Sequence, residues 1–232
     1  DTSMPQFVRF PVSSRQDWRR ILTRLDPGDT AHRIGDPTRV LAQCADKTVP
    51  TIRPICGAYG QPRNLLGEEG LAYIFSDDPD LLYEILDNWC ALYVALLTEL
   101  TALVRVDALL IWEDMCYKGG PLMNPRDFRK FMLPYYKQLI AVAQARGIEA
   151  IIVDSDGDVR QMIPIFLEAG VNCIMPFEVQ AGMDVIQIRE MFGSSFCIMG
   201  GLDKRAQAQG HEQKDAEVER VIPYIVRSGR CI

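Results

Sequence analysis

The sequence predicts an α/β fold on a parallel sheet, of the (β/α)8 barrel type and incomplete. About two strands are expected to be missing on the N-terminal side, together with the C-terminal end. Three observations predict it. The run Ile151-Ile152-Val153-Asp154-Ser155-Asp156-Gly157-Asp158 is a doubly buried strand that ends in an acidic, glycine-bearing turn. Strand-like runs alternate with stretches of helical periodicity, which implies right-handed βαβ units. No GxGxxG or Walker A loop occurs, so a doubly wound nucleotide-binding sheet lacks its best support. An open half-barrel is the alternative. Residues 1–232 are taken as one domain.

In chain order, Phe7-Val8-Arg9-Phe10-Pro11 reads as extended. A helix capped by Ser13 or Ser14 then presents Trp18, Ile21, Leu22 and Leu25. Leu25-Asp26-Pro27-Gly28 is a turn, and residues 37–45 are a short helix. Residues 51–56 form a strand that opens into a loop over residues 57–63, whose two glycines suit a backbone close to a ligand. Asp78-Pro79 starts a long helix carrying Leu82, Ile85, Leu86, Trp89, Tyr93 and Leu96. Its most apolar part, residues 90–104, is interrupted by Thr98, Glu99 and Thr101 and is too short to span a bilayer.

Residues 108–112 are the next strand, and residues 113–123 its loop. Asn124-Pro125 caps a helix with Phe128, Phe131, Met132, Tyr135, Leu139 and Val142 on one face, kinked by Pro134. After the 151–154 strand, a helix begins at once through Val159, Met162, Ile163, Phe166 and Leu167. Strands follow at 171–175 and 195–199, with a helix at 184–192 between them and a helix through Val218, Val221, Ile222 and Ile225 after them. Arg230-Cys231-Ile232 begins a sixth strand, so the chain reads as a piece of a longer protein.

The bulk properties narrow the function. A formal net charge of -6 argues against nucleic acid and anionic membranes as partners. The seven cysteines are scattered without a CxxC pair, which opposes a disulfide framework or a zinc ribbon, and a cytoplasmic location is expected. His32 and His211 lie in polar stretches, so neither a histidine triad nor a two-histidine metal site is available.

Acidic residues stand just past the strands: Glu113 and Asp114, Asp154 and Asp156, Glu178, and Asp203. If the sheet is parallel they share one mouth with Arg63, Lys118, Lys204 and Arg205. Crowded carboxylates there can do acid/base work, bind a hard divalent cation or hold a cationic substrate. Against this stands a bland reading in which Asp156 or Asp158 caps a helix, Lys204-Arg205 pairs with Asp203, and Tyr117 and Tyr135 are packing.

Several motifs carry a resemblance. Trp112-Glu113-Asp114-Met115, Gly120-Pro121-Leu122-Met123-Asn124-Pro125, Phe131-Met132-Leu133-Pro134-Tyr135-Tyr136, Glu168-Ala169-Gly170-Val171-Asn172 and Met199-Gly200-Gly201-Leu202-Asp203 stand in the order of one family. Together with the 151–157 strand-turn they resemble the uroporphyrinogen decarboxylase superfamily, which includes corrinoid-dependent methyltransferases. The likeness is strongest over residues 105–210.

The resemblance implies a (β/α)8 barrel. Its decarboxylases hold a carboxylated tetrapyrrole through an arginine-rich glycine loop and a late histidine, both expected to lie outside this chain. Their Asp-Ser-Trp-type segment corresponds to Glu113-Asp114-Met115, so their serine position is acidic here. Its methyltransferases bind zinc through a His-x-Cys-Gly turn and a late cysteine, and Asp154-Ser155-Asp156-Gly157 occupies the place of that turn.

The resulting expectation is an enzyme of the corrinoid-linked methyltransferase-like branch. Asp154 and Asp156 would be polar or metal-binding groups, with a divalent ion or a corrinoid such as methylcobalamin, presented by a partner, as cofactor. Glu113, Asp114 and Glu178 join those two aspartates as acid/base groups. Arg63, Tyr117, Lys118, Asp203 and Lys204 would bind substrate. Tetrapyrrole decarboxylation and a non-catalytic ligand-binding barrel are the alternatives. A small-molecule substrate, a corrinoid protein and a homodimer are the partners considered.

Overall fold

The computed structural model describes residues 9–231. Phe7, Val8 and Ile232 of the expected first and last extended segments lie outside them.

Three short helices come first: α1 (Arg15–Leu22), α2 (Thr30–Ile34) and α3 (Pro37–Gln43). Ser14 caps α1 by accepting from the Asp17 N–H, and Trp18 is its buried anchor. Strand β1 (Ile52–Cys56) leads to α4 (Gly60–Asp77), which breaks at Gly67 (φ +78°). A Cβ at Gly67 would lie 2.5 Å from the Phe10 ring, so only glycine lets this segment approach. Helix α4 corrects the expected 57–63 loop, which closes at Gly60. Its glycines and its break leave no continuous apolar stripe to read in the sequence.

Asp78 caps α5 (Pro79–Leu103) through the Leu81 N–H. This helix is longer than its apolar core suggested. Among the described residues it is the one helix long and apolar enough to cross a membrane, with half of the apolar window buried in the protein. Strand β2 (Ala108–Trp112) follows, then a hairpin, β3 (Cys116–Tyr117) and β4 (Gly120–Pro121), inside the expected 113–123 loop.

Helix α6 (Pro125–Asp127), capped by Asn124, runs through a π-turn at Phe128–Met132 into α7 (Leu133–Ala145). The π-turn is the form taken by the kink expected at Pro134. Proline cannot donate to the carbonyl four residues back, so the helix widens by one residue there. The extra residue rotates the buried face. Tyr136, Leu139, Ile140 and Ala143 are buried, whereas Tyr135 is only half-buried.

Strand β5 (Ala150–Asp154) is as expected. Helix α8 (Ile163–Ala169) starts later than Val159, because residues 160–162 form turns after Asp158 binds Arg160. Strand β6 (Cys173–Met175), α9 (Val185–Phe192, capped by Asp184) and β7 (Cys197–Ile198) complete the regular units. Helices α10 (Lys204–Ala208) and α11 (His211–Ser228) follow, and Cys231 bridges Ile198 in parallel.

The five strands lie in the order β1-β2-β5-β6-β7, all parallel. Each strand joins beside its predecessor, without the order reversal of a doubly wound sheet. This is barrel winding, and among the described residues the sheet stays open. Its outer face (Ile55, Leu109, Ile111, Ile151, Val153, Ile174, Ile198) is sealed by the helices in one large core. The inner face carries Ala108, Ile152 and Cys173, flanked by half-buried Leu110, Ala150, Met175, Cys197 and Met199.

Candidate functional site

The C-terminal ends of the strands form one rim, as parallel winding requires. At β2 the chain alternates faces. Glu113 passes to the helix side and Asp114 stays at the rim.

Glu113 is wholly buried. It accepts from the Tyr59 N–H (2.9 Å), the Gly60 N–H (2.7 Å) and the Tyr136 hydroxyl. Burial pushes its carboxyl up to about 7, against the opposing pull of Tyr136 and the N–H groups of residues 58–60. A Cβ on Gly57 would lie 2.1 Å from this carboxyl, so the β1–α4 turn closes directly on it. Glu113 therefore ties β2 to the start of α4 and to α7, and does not join the rim carboxylates expected beside it. Tyr136, the partner missed in the sequence, is hidden there because helical spacing without the π-turn brings Tyr135 inward instead.

Asp114 has φ +45°. Arg63 holds it by donating to its carbonyl (2.6 Å) and its carboxylate (3.2 Å), while the guanidinium lies 4.8 Å from the Trp112 ring centroid. Asp154 is half-buried at the end of β5, and Asp156 is exposed two residues on. Burial, then Asp156 and Asp114, raise the Asp154 carboxyl. Burial, then Glu178 and Asp114, raise that of Asp156, with Lys204 opposing. Glu178 accepts from the Gly157 N–H (3.2 Å) and stands 4.0 Å from Lys204. Asp114, Asp154, Asp156 and Glu178 are thus electrostatic neighbours on one rim.

The turn carrying these groups is tightly set. A Cβ on Gly157 (φ +81°) would lie 2.6 Å from the Cys116 backbone, and buried Ser155 accepts from the Met115 N–H (3.1 Å). The β3–β4 hairpin is thereby seated against the β5 turn. Its Tyr117 and Lys118 are exposed and stack on each other at 5.8 Å. Asp203 caps α10 and pairs with Arg205 (2.8 Å), which lowers its carboxyl, and it lines the cavity beside the rim. Asp158 pairs with Arg160. Of the substrate-binding set, Arg63 and Lys204 reach the acidic rim.

Beside the rim a cavity of about 380 Å³ opens between the β6 and β7 loops and α11. One wall is polar (Asp156, Glu178, Lys204), and the other is apolar (Phe177, Leu202, Ile225). The divalent ion expected on Asp154 and Asp156 does not fit this arrangement. Among the described residues no group of three His, Cys, Asp or Glu side chains is placed to hold a metal ion. Two of the four rim carboxylates are already engaged, Asp114 by Arg63 and Glu178 by the Gly157 N–H.

The family model described as uroporphyrinogen decarboxylase (URO-D) matches residues 1–231. The chain belongs to the URO-D family. No curated protein matches it at a significant level. URO-D domains have the TIM-barrel fold, and the sequential parallel sheet is consistent with an incomplete barrel of that kind.

Proposed function

We propose that this URO-D chain is an enzyme of the corrinoid-linked, methyl-transferring branch, acting at the acidic rim. The observation that carries the reading is the grouping of Asp114, Asp154, Asp156 and Glu178, with Arg63 paired to Asp114 and Lys204 near Glu178. Such a rim repels a polycarboxylate tetrapyrrole. It suits a smaller substrate whose reaction moves a proton.

Burial first and neighbouring carboxylates second raise both aspartates, so each holds a proton more readily than a free carboxyl does. Asp154 or Asp156 would hand its proton to the heteroatom left when a methyl group departs, or take one from an acceptor as it attacks. Arg63 fixes Asp114, and the apolar wall of Phe177, Leu202 and Ile225 orients the substrate and excludes water. A corrinoid carried by a partner protein would supply the methyl-exchanging centre when bound. The zinc of this branch has no matching donor set here, and no step uses it.

The test is loss of methyl–cobalt absorbance when the chain is mixed with methylcobalamin and candidate thiol, amine or phenol acceptors. Asp154→Asn and Asp156→Asn should each slow transfer by about 100-fold or more. Transfer unaffected by both changes would refute the roles. Carbon dioxide release from uroporphyrinogen would assign the decarboxylase branch.

A further inference from the structure

Four sulfur-bearing side chains share one patch of the inner sheet face. Cys173 on β6 is paired in register with Cys197 on β7, and Met175 and Met199 follow two residues further along each chain. Ile174 and Ile198, between them, are buried on the opposite face. All four sulfur residues pack in the same small cluster, with Cys173 buried and Cys197 half-buried. A cavity of about 320 Å³ opens onto Cys173, Cys197 and Met199, with Ile152, Asn172 and Arg230 around it.

Barrel interiors are dominated by branched aliphatic side chains. On the neighbouring strands the same face is mixed, with Ile52, Pro54 and Cys56 on β1, Ala108, Leu110 and Trp112 on β2, and Ala150, Ile152 and Asp154 on β5. On β6 and β7, by contrast, sulfur stands at every inner position and at the Met199 position just beyond. Neighbouring strands run about 4.8 Å apart, so two in-register thiols can grip one ion between them.

We propose that Cys173 and Cys197 hold a single soft, thiophilic metal ion of the copper(I) class, with Met175 and Met199 as adjacent thioether donors. Thiolate and thioether sulfurs select such ions over harder ones. Binding breaks two S–H bonds and forms two sulfur–metal bonds. Two protons pass to solvent and no electron moves. Because binding releases those protons, affinity rises with pH. Register places Met175 beside Asp154, so the ion lies just below the acidic rim without drawing on its carboxylates.

The test is an anaerobic titration of the reduced full chain with copper(I) held by a chromophoric chelator. About one ion per chain should leave the chelator, more tightly as pH rises. Cys197→Ser and Cys173→Ala should each abolish this uptake, and Met199→Leu should weaken it by about tenfold or more. Cys44→Ser, far along the sequence and outside the patch, should leave it unchanged. Cys197 is half-buried, so its serine variant should keep the parent's thermal melt and serves if the Cys173 variant unfolds. Uptake retained in both thiol variants, or zinc(II) displacing the copper at equal concentration, would overturn the proposal.

Discussion

The Tyr136 hydroxyl donates to the Glu113 carboxylate inside the protein, both side chains being wholly buried. Through this contact α7 holds the carboxylate that in turn receives the first N–H groups of α4. Removing the hydroxyl strands a buried acceptor. Tyr136→Phe should cost about 1–2 kcal/mol in denaturant unfolding. Tyr135→Phe removes only a more exposed bond to Asp87 and should stay within about 0.5 kcal/mol.

The Glu113 proton couples this contact to pH. Its folded value of about 7 lies above the ordinary 4.5. The native state therefore holds this proton where the unfolded chain releases it, and stability falls as pH rises from about 4.5 to 7 and is flat above that. The loss should amount to a few kcal/mol. Glu113→Gln should flatten that part of the stability–pH curve. An unchanged slope would assign it to other groups.

Gly57→Ala would place a methyl group on the Glu113 carboxyl. Neither the strand end nor the wholly buried glutamate can give way, so about 3 kcal/mol or more of destabilisation is expected. Gly119→Ala meets nothing within 4 Å and should be close to neutral in the same thermal melts.

Arg189 is buried and donates to the carbonyls of Gly193, Phe196, Gly229 and Arg230. Among the described residues it has no carboxylate partner. Arg189→Met should cost about 2–4 kcal/mol. It should also raise hydrogen exchange at residues 229–231, which these bonds hold against β7.

The sequence by itself determined the five parallel strands of the main sheet and several of the helix caps. Apolar runs such as Ile151-Ile152-Val153 and cap residues such as Ser14, Asp78 and Asn124 act over a few neighbouring positions. Local physics of that range survives in one dimension. The division of the acidic residues was decided only in the tertiary structure. Glu113 and Asp114 are adjacent in the chain, yet one is sealed against Tyr136 and the other sits at the rim, because successive strand residues face opposite sides. One extra residue in a π-turn chose Tyr136 over Tyr135 as the buried partner. The pairing of Cys173 with Cys197 likewise needed the register of two strands separated by a whole helical crossover. These are contacts between distant segments, and no spacing in the sequence encodes them.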